Sequence, residues 1–194
     1  GLLFVNGVAQ PLPDDSTVCL WHAGAMTNRL ELATRAAVPR VYPPALVTRS
    51  LHCLLDDATW AAIEGDWAAV FWNGRDGELL LLRDRMGIHG LYYAEDGKSV
   101  LVSDSVEAIL DALASRPNPN LSALVAQMHA LPPAAGETCY QGISSLEPGC
   151  AVHIGSAGKR LVRYWQVTPQ PLLRLASDDE YGDALLELAE AKRD

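Results

Sequence analysis

Basic charge is scarce in this sequence: 15 Lys and Arg stand against 24 Asp and Glu, for a net charge of −9 at pH 7. That balance excludes nucleic acid and anionic membrane surfaces as expected partners, because phosphates are held by Lys and Arg. Long apolar runs are absent too, and nothing approaches the roughly twenty residues needed to cross a bilayer. Cysteine pairing is also missing: Cys19, Cys53, Cys139 and Cys150 are widely spaced and form no C-x-x-C. Zinc-type spacing is thereby excluded, and buried free thiols in a cytoplasmic protein are the expectation. His52 and His129 fall on expected helices without a carboxylate at ligand spacing, so no metal site is expected. Trp21, Trp60, Trp67, Trp72 and Trp165 have no basic patch beside them, which places them in a core rather than a base-stacking platform. The chain carries neither an initiator Met nor a recognisable signal peptide, so residues are expected upstream of Gly1.

What is present suits one core. The 194 residues are 49% apolar and 20% charged, the balance of an ordinary globular domain. The organising stretch is IEGDWAAVFWNGRDGELLLLRDRMGIHGLYY, residues 63–93. It reads as two buried strands at 67–72 and 78–83, joined by Asn73-Gly74-Arg75-Asp76-Gly77, with a third strand at about 91–94. The runs AAVFW and LLLLR are apolar on both faces, so they belong at the centre of a sheet covered on both sides. The Asn-Gly and Asp-Gly pairs supply the hairpin turn.

Around this hairpin the pattern mixes strands and helices without regular alternation, which favours an α+β layered fold. Residues 1–5 read as a strand, followed by a Pro/Asp-rich loop to Ser16 and a second strand at 18–22, closed by Ala23-Gly24-Ala25. Thr27-Asn28 offers an N-cap for a helix at 29–37 with Leu30, Ala33 and Ala37 inward, and a longer helix is expected at 45–55. A strand at 100–103, helices at 105–114 and 121–130, and short strands up to Trp165 follow. Asp178-Asp179-Glu180 opens a last helix, where acidic residues complement the helix N-terminus more simply than they would bind Mg2+. That helix stops at Asp194 without a cap, as if the polypeptide had been cut there.

Five stretches, in register from Gly65 to Trp165, resemble the N-terminal domain of the asparagine synthetase family. Residues 65–72, GDWAAVFW, are similar to the family's GDFAFALWD. Residues 83–93, RDRMGIHGLYY, are similar to RDRLGxKPLYY, and LVSDSVEAIL at 101–110 resembles FASExKALL. Glu137-Thr138 with Gly142-Ile143, Leu146 and Pro148-Gly149 fits T-x-x-x-GIxxLxPG, and Tyr164-Trp165 fits the pair that closes the domain. The resemblance implies an N-terminal-nucleophile hydrolase architecture, a four-layer α/β/β/α sandwich of two stacked antiparallel sheets. In glutamine-using members an N-terminal Cys attacks the glutamine amide, and the ammonia released passes to a second domain that activates a carboxylate with ATP and Mg2+.

The residues implied for that chemistry are not the ones found. Residue 1 is Gly, and no nucleophile is visible at the start of the chain. The family's pocket pattern N-G-E-I-Y-N falls on Ala23-Gly24-Ala25-Met26-Thr27-Asn28, which keeps the Gly and the last Asn but puts Ala23 and Ala25 at the polar positions. A later pocket Asp falls on Pro43. A hydrogen bond to a charged group contributes roughly 1.5–3 kcal/mol, so three losses leave little affinity for glutamine. Such a pattern is similar to the glutaminase-inactive relatives, β-lactam synthetase and lasso-peptide cyclase, which use an amine already present in their substrate.

The expectation is therefore a vestigial glutamine pocket at Ala23, Gly24, Ala25 and Pro43, with no catalytic residue. Gly65, Asp66, Arg83, Asp84, Gly87 and Tyr92 serve as family-motif scaffold, and His22 and His89 as turn or surface residues. Residues 1–170 form the amidotransferase-like domain, and 171–194 a linker and the first helix of a synthetase domain. ATP and Mg2+ belong to that domain, since no S-G-G-x-D-S pyrophosphate loop occurs here. Expected partners are the synthetase domain, in cis or as a separate subunit, a peptide or amino-acid-derived substrate, and a second copy in a homodimer. Two alternatives stay open: an active glutamine-hydrolysing domain whose Cys lies upstream, and a peptide- or partner-binding module.

Overall fold

Two strands that are apolar on both faces need a covering layer on each side, and the fold supplies both. The structure is a computed structural model that describes residues 2–5, 8–11, 17–35, 60–97, 99–169 and 171–191. Strands β4 (Gly65–Asn73) and β5 (Glu78–Arg83) form the expected antiparallel hairpin. Its turn is closed by the Gly77 N–H on the Asn73 carbonyl at 2.8 Å and by the Asn73 side chain, which bonds both Arg75 N and Asp76. Trp67, Ala69, Phe71, Leu80 and Leu82 face one side of the sheet, and Ala68, Val70, Leu79 and Leu81 face the other. Burying a leucine completely contributes roughly 1.5–3 kcal/mol, so Leu79 to Leu82, all buried, anchor β5 firmly in the sheet beside β4.

The hairpin sits within a five-stranded antiparallel sheet, ordered β10-β9-β5-β4-β3. Its other members are β3 (Thr17–Met26), β9 (Cys150–Gly155) and β10 (Gly158–Arg163). A second five-stranded sheet comprises β1 (Leu2–Val5), β2 (Val8–Pro11), β6 (Tyr92–Asp96), β7 (Ser99–Ser103) and β8 (Ile143–Ser145), ordered β2-β1-β7-β6-β8. It is antiparallel except where β1 runs parallel to β7. Tyr93 and Val102 from this sheet meet Val70, Leu81, Cys150 and Val152 from the first in the central core. Burial pushes the Cys150 thiol up from its ordinary value, so it stays protonated in that core.

Helices cover the outer faces. Helix α1 (Arg29–Arg35) inserts Leu32 beside Met26, Trp60, Trp67 and Phe71 on the first sheet. Helix α2 (Val106–Ala112) packs Ile109 on Ala94, Leu101 and Ile143 of the second, and α3 (Leu121–Met128) follows it. The layer order is helix, sheet, sheet, helix, and the expected α/β/β/α sandwich is borne out. A final helix, α4 (Asp178–Ala191), leaves Leu185, Leu186 and Leu188 exposed.

Several local expectations are corrected. Strand β2 lies in the segment read as loop; it is an edge strand, where Pro11 costs no ladder hydrogen bond. Strand β3 continues through Ala23-Gly24-Ala25 to Met26, because its partner β4 supplies a ladder along that whole length. In α1 the inward residue is Leu32 at 0% exposure, whereas Leu30 is 54% exposed. Asn28 explains the difference. Rather than capping its own helix, its side chain donates to the Ala62 carbonyl (2.9 Å) and accepts from the Glu64 amide (3.0 Å), and that tether sets the rotation of α1. The helix expected at 45–55, and Pro43, lie outside the described residues.

The link between sheets is the loop after β5. Asp84, 0% exposed, accepts from the Met86 and Gly87 amides at 2.7 Å each through one carboxylate oxygen. Its own N–H bonds the Trp67 carbonyl and its carbonyl accepts from Gly149. Arg83 donates to the Leu146 and Gly87 carbonyls at 2.5 and 2.6 Å, and the Tyr164 hydroxyl donates to the Arg83 carbonyl. Burial, with smaller effects of Asp84 and Cys150, pushes the Tyr164 hydroxyl well above its ordinary value, so it stays a donor. Removing Asp84 leaves two part-buried amides without their acceptor, at roughly 1–3 kcal/mol each. Asp84→Ala is expected to lower unfolding free energy in urea by about 3 kcal/mol, and Asp84→Asn, which keeps one acceptor oxygen, by less. An Asp84→Ala midpoint equal to the parent's contradicts this role.

Candidate functional site

The segment that resembles the glutamine pocket is the end of β3, and its geometry follows from the pairing with β4. Ala23 lies opposite Ala68, and Ala25 opposite Asp66. Cross-strand partners share a face of the sheet, and Ala68 faces the core between the sheets. Ala23, Ala25 and Asp66 therefore line the inter-sheet side of this strand end. Ala25 is exposed and Ala23 half-buried, as befits the open rim of the sandwich.

Gly24, between the two alanines, has φ +82°, and only a glycine fits its surroundings. A Cβ there would lie 1.9 Å from the Asp66 carbonyl oxygen and 2.5 Å from His89 Nε2. Across the ladder Gly65, with φ +115°, makes an equally close approach, since a Cβ there would lie 2.2 Å from the Ala25 carbonyl oxygen. Two glycines thus let β3 and β4 cross closely where the pocket backbone turns. The Thr27 amide then bonds the Glu64 carbonyl at 3.0 Å, and Asn28 completes the clasp.

His89 lies in the loop between β5 and β6, half-buried, in keeping with a turn residue, and its contacts reach the pocket strand. Its Nε2 is 3.6 Å from Asp66 Oδ2, too long for a hydrogen bond, and its ring rests on Gly24. The loop carrying it is fixed at its start by the Asp84 and Arg83 bonds to Gly87. A signal was available. His89 stands where the family motif RDRLGxKPLYY has Lys, so the substitution and the two alanines fall at one place in the fold.

Of the other expected scaffold residues, Arg83, Asp84 and Gly87 hold the loop. Burial pulls the Arg83 guanidinium below its ordinary value, while Tyr92 and Asp84 push it back up. Arg85 donates to the Ala61 carbonyl and lies over the Trp165 ring at 6.0 Å. Tyr92 stands apart: it is on β6, in the second sheet, packed toward α2. Pro43 and the side chain of His22 lie outside the described residues. Among the described residues no cluster of His, Cys, Asp or Glu could hold a metal ion, and no helix is long and apolar enough to cross a membrane.

Two stacked sheets between helices, with a glycine-bent strand end at the rim, are the architecture of the N-terminal-nucleophile hydrolase amidotransferases. The fold resembles the glutamine phosphoribosylpyrophosphate amidotransferase of B. subtilis, solved with ADP and GMP (TM-score 0.52, 14% identity, 81% of this chain and 32% of that one). It equally resembles a structure described as the allosteric regulatory enzyme of purine biosynthesis (TM-score 0.53, 16% identity, 84% of this chain and 33% of that one). At such identities the likeness is one of fold. In sequence, 108 residues, 54% of this chain, are 28% identical to asparagine synthetase [glutamine-hydrolyzing] 3 of Bacillus subtilis (strain 168), spanning 17% of that protein. The family model for the glutamine amidotransferase domain matches residues 6–165, and the chain belongs to that family.

The close crossing makes a sharp prediction. Gly24→Ala must place a methyl against a backbone oxygen at positive φ, where a non-glycine residue alone costs roughly 1–2 kcal/mol. We expect Gly24→Ala to destabilise the protein severely in urea denaturation. The Gly24→Ala/His89→Ala double variant is expected to recover little, because the Asp66 carbonyl remains. Full recovery in the double variant would instead make the His89 ring the only obstacle.

Proposed function

We propose that this amidotransferase domain is degenerate: a glutaminase-like scaffold without glutaminase activity. The observation that carries the proposal is the pair Ala23 and Ala25, two methyl groups flanking Gly24 on the rim where the family pattern places Asn and Glu. Glutamine recognition needs polar partners for an α-amino and an α-carboxylate group. Losing two hydrogen bonds to charged groups, at roughly 1.5–3 kcal/mol each, weakens binding by about a hundredfold to ten-thousandfold. Asp66 and His89 stand 3.6 Å apart at the same rim, and neither occupies the Asn or Glu position of the pattern.

The relation to asparagine synthetase supports a second part of the proposal. The domain works beside an ATP- and Mg2+-using synthetase domain, in cis or as a separate subunit, and stabilises it while that domain forms an amide bond. β-Lactam synthetase and lasso-peptide cyclase are the relatives whose chemistry needs no ammonia, and a peptide or amino-acid-derived substrate fits them. Residues 1–170 are the amidotransferase-like domain on this view. Residues 171–194 are then a linker and the first helix of the synthetase domain, and the exposed Leu185, Leu186 and Leu188 of α4 pack within that domain.

The test is glutamine hydrolysis by the protein with its native N-terminus, read as ammonia and glutamate released. No release above the uncatalysed background is expected. Turnover within the ordinary enzyme range of about 1–1000 per second would overturn the proposal and establish an active amidotransferase domain.

A further inference from the structure

Tyr92, the motif residue with no place at the pocket, points to a different cavity. On the outer face of the second sheet, α2, α3 and residues 133–140 enclose a volume of about 420 Å3. That size lies in the range of small-molecule sites, roughly 300–1000 Å3. Its walls are Val106 and Glu107 from α2, Ala123 and Gln127 from α3, Tyr92 and Ser145 from the sheet, and Pro133 and residues 137–140 from the connecting segment. The glutamine-pocket strand belongs to the other sheet, so this cavity is a separate place in the fold.

Its chemistry is one-sided. The charged lining residues are Glu107 and Glu137, and no Lys, Arg or His joins them in the wall. Neither glutamate has an ion-pair partner among the described residues. Glu107 is held in place by the Ser105 hydroxyl at 2.7 Å, and that bond, then a backbone one, pulls its carboxyl below the ordinary range. Arg116, outside the wall, is engaged by Tyr140: it lies 5.9 Å over the ring and donates to the hydroxyl at 3.4 Å. The polar floor is internally satisfied. The Thr138 hydroxyl donates to the Ile143 carbonyl at 2.8 Å and accepts from the Tyr140 amide at 3.2 Å, and the Cys139 thiol donates to Gln127 Oε1 at 3.1 Å.

We infer that this cavity binds an organic cation, a guanidinium or primary ammonium on a short apolar stem. Glu107 and Glu137 pair with the charged head, the Tyr92 ring offers it a π face, and Val106, Ala123 and Pro133 take the stem. A divalent ion fits less well, since no group of three metal-binding side chains occurs among the described residues. The inference is independent of whether the glutamine pocket is active.

Calorimetry on the full chain tests it with three probes: agmatine, acetyl-Gly-Arg-Gly-amide, and the same peptide with citrulline, which keeps the shape of arginine and loses its charge. Saturable binding is expected for agmatine or the arginine peptide, at least about tenfold tighter than for the citrulline peptide. Glu137→Gln and Glu107→Gln, both at exposed positions where folding is not at stake, should each weaken it about tenfold. Binding by agmatine identifies a free small cation as the ligand; binding by the peptide alone identifies an arginine side chain on a longer chain. Absence of saturation by both probes, or binding that survives both glutamate substitutions, overturns the inference.

Discussion

A buried carboxylate ties the two sheets of this domain to its functional rim. Asp84 leaves the end of β5, takes the Trp67 carbonyl of β4 through its N–H, and receives the Gly149 amide that leads into β9. Its side chain closes the turn at Met86 and Gly87, from which the chain passes into the second sheet at β6. Three segments distant in sequence thus meet at one residue with no exposed surface. Two amides satisfy one carboxylate oxygen, Arg83 is near enough to attract the group electrostatically, and the other oxygen is buried without a hydrogen-bond partner among the described residues. The same turn delivers His89 onto Gly24, so the stability of the core and the state of the pocket depend on a common anchor.

At the rim, backbone and side chains have separate histories. Three backbone devices shape this strand end: Gly24 at positive φ, Gly65 at positive φ two positions along the partner strand from Gly24's partner Trp67, and the Asn28 clasp across residues 62 and 64. Those devices also hold β3 on β4, so folding alone requires them. Ala23 and Ala25 contribute nothing to that pairing beyond ladder geometry, and at these two positions side chains are free to change without cost to the fold. A domain whose structural role outlives its chemistry is expected to lose the residues of the second kind first.

What could be read from the sequence divides along the same line. The β4–β5 hairpin was legible because AAVFW and LLLLR carry apolar residues on both faces, a pattern that only a doubly covered strand satisfies. The motif from Arg83 to Tyr93 and the Gly65–Trp72 run named the family. Strand β2 was not legible, since an edge strand needs no strong apolar pattern and tolerates Pro11. The rotation of α1 was misjudged because a long-range tether from Asn28, not local periodicity, selects Leu32 over Leu30. His89 does lie in a turn as read, but its contact with Gly24 spans 65 positions of chain and leaves no local mark.

The central claim is that the rim between the sheets keeps the shape of a glutamine site and has lost its hold on glutamine. Titrating the labelled protein with glutamine while following the backbone amides of Gly24, Asp66 and His89 by NMR addresses it directly. The account predicts that these resonances stay unmoved while glutamine rises to millimolar levels. Saturable shifts centred on Gly24 would contradict it.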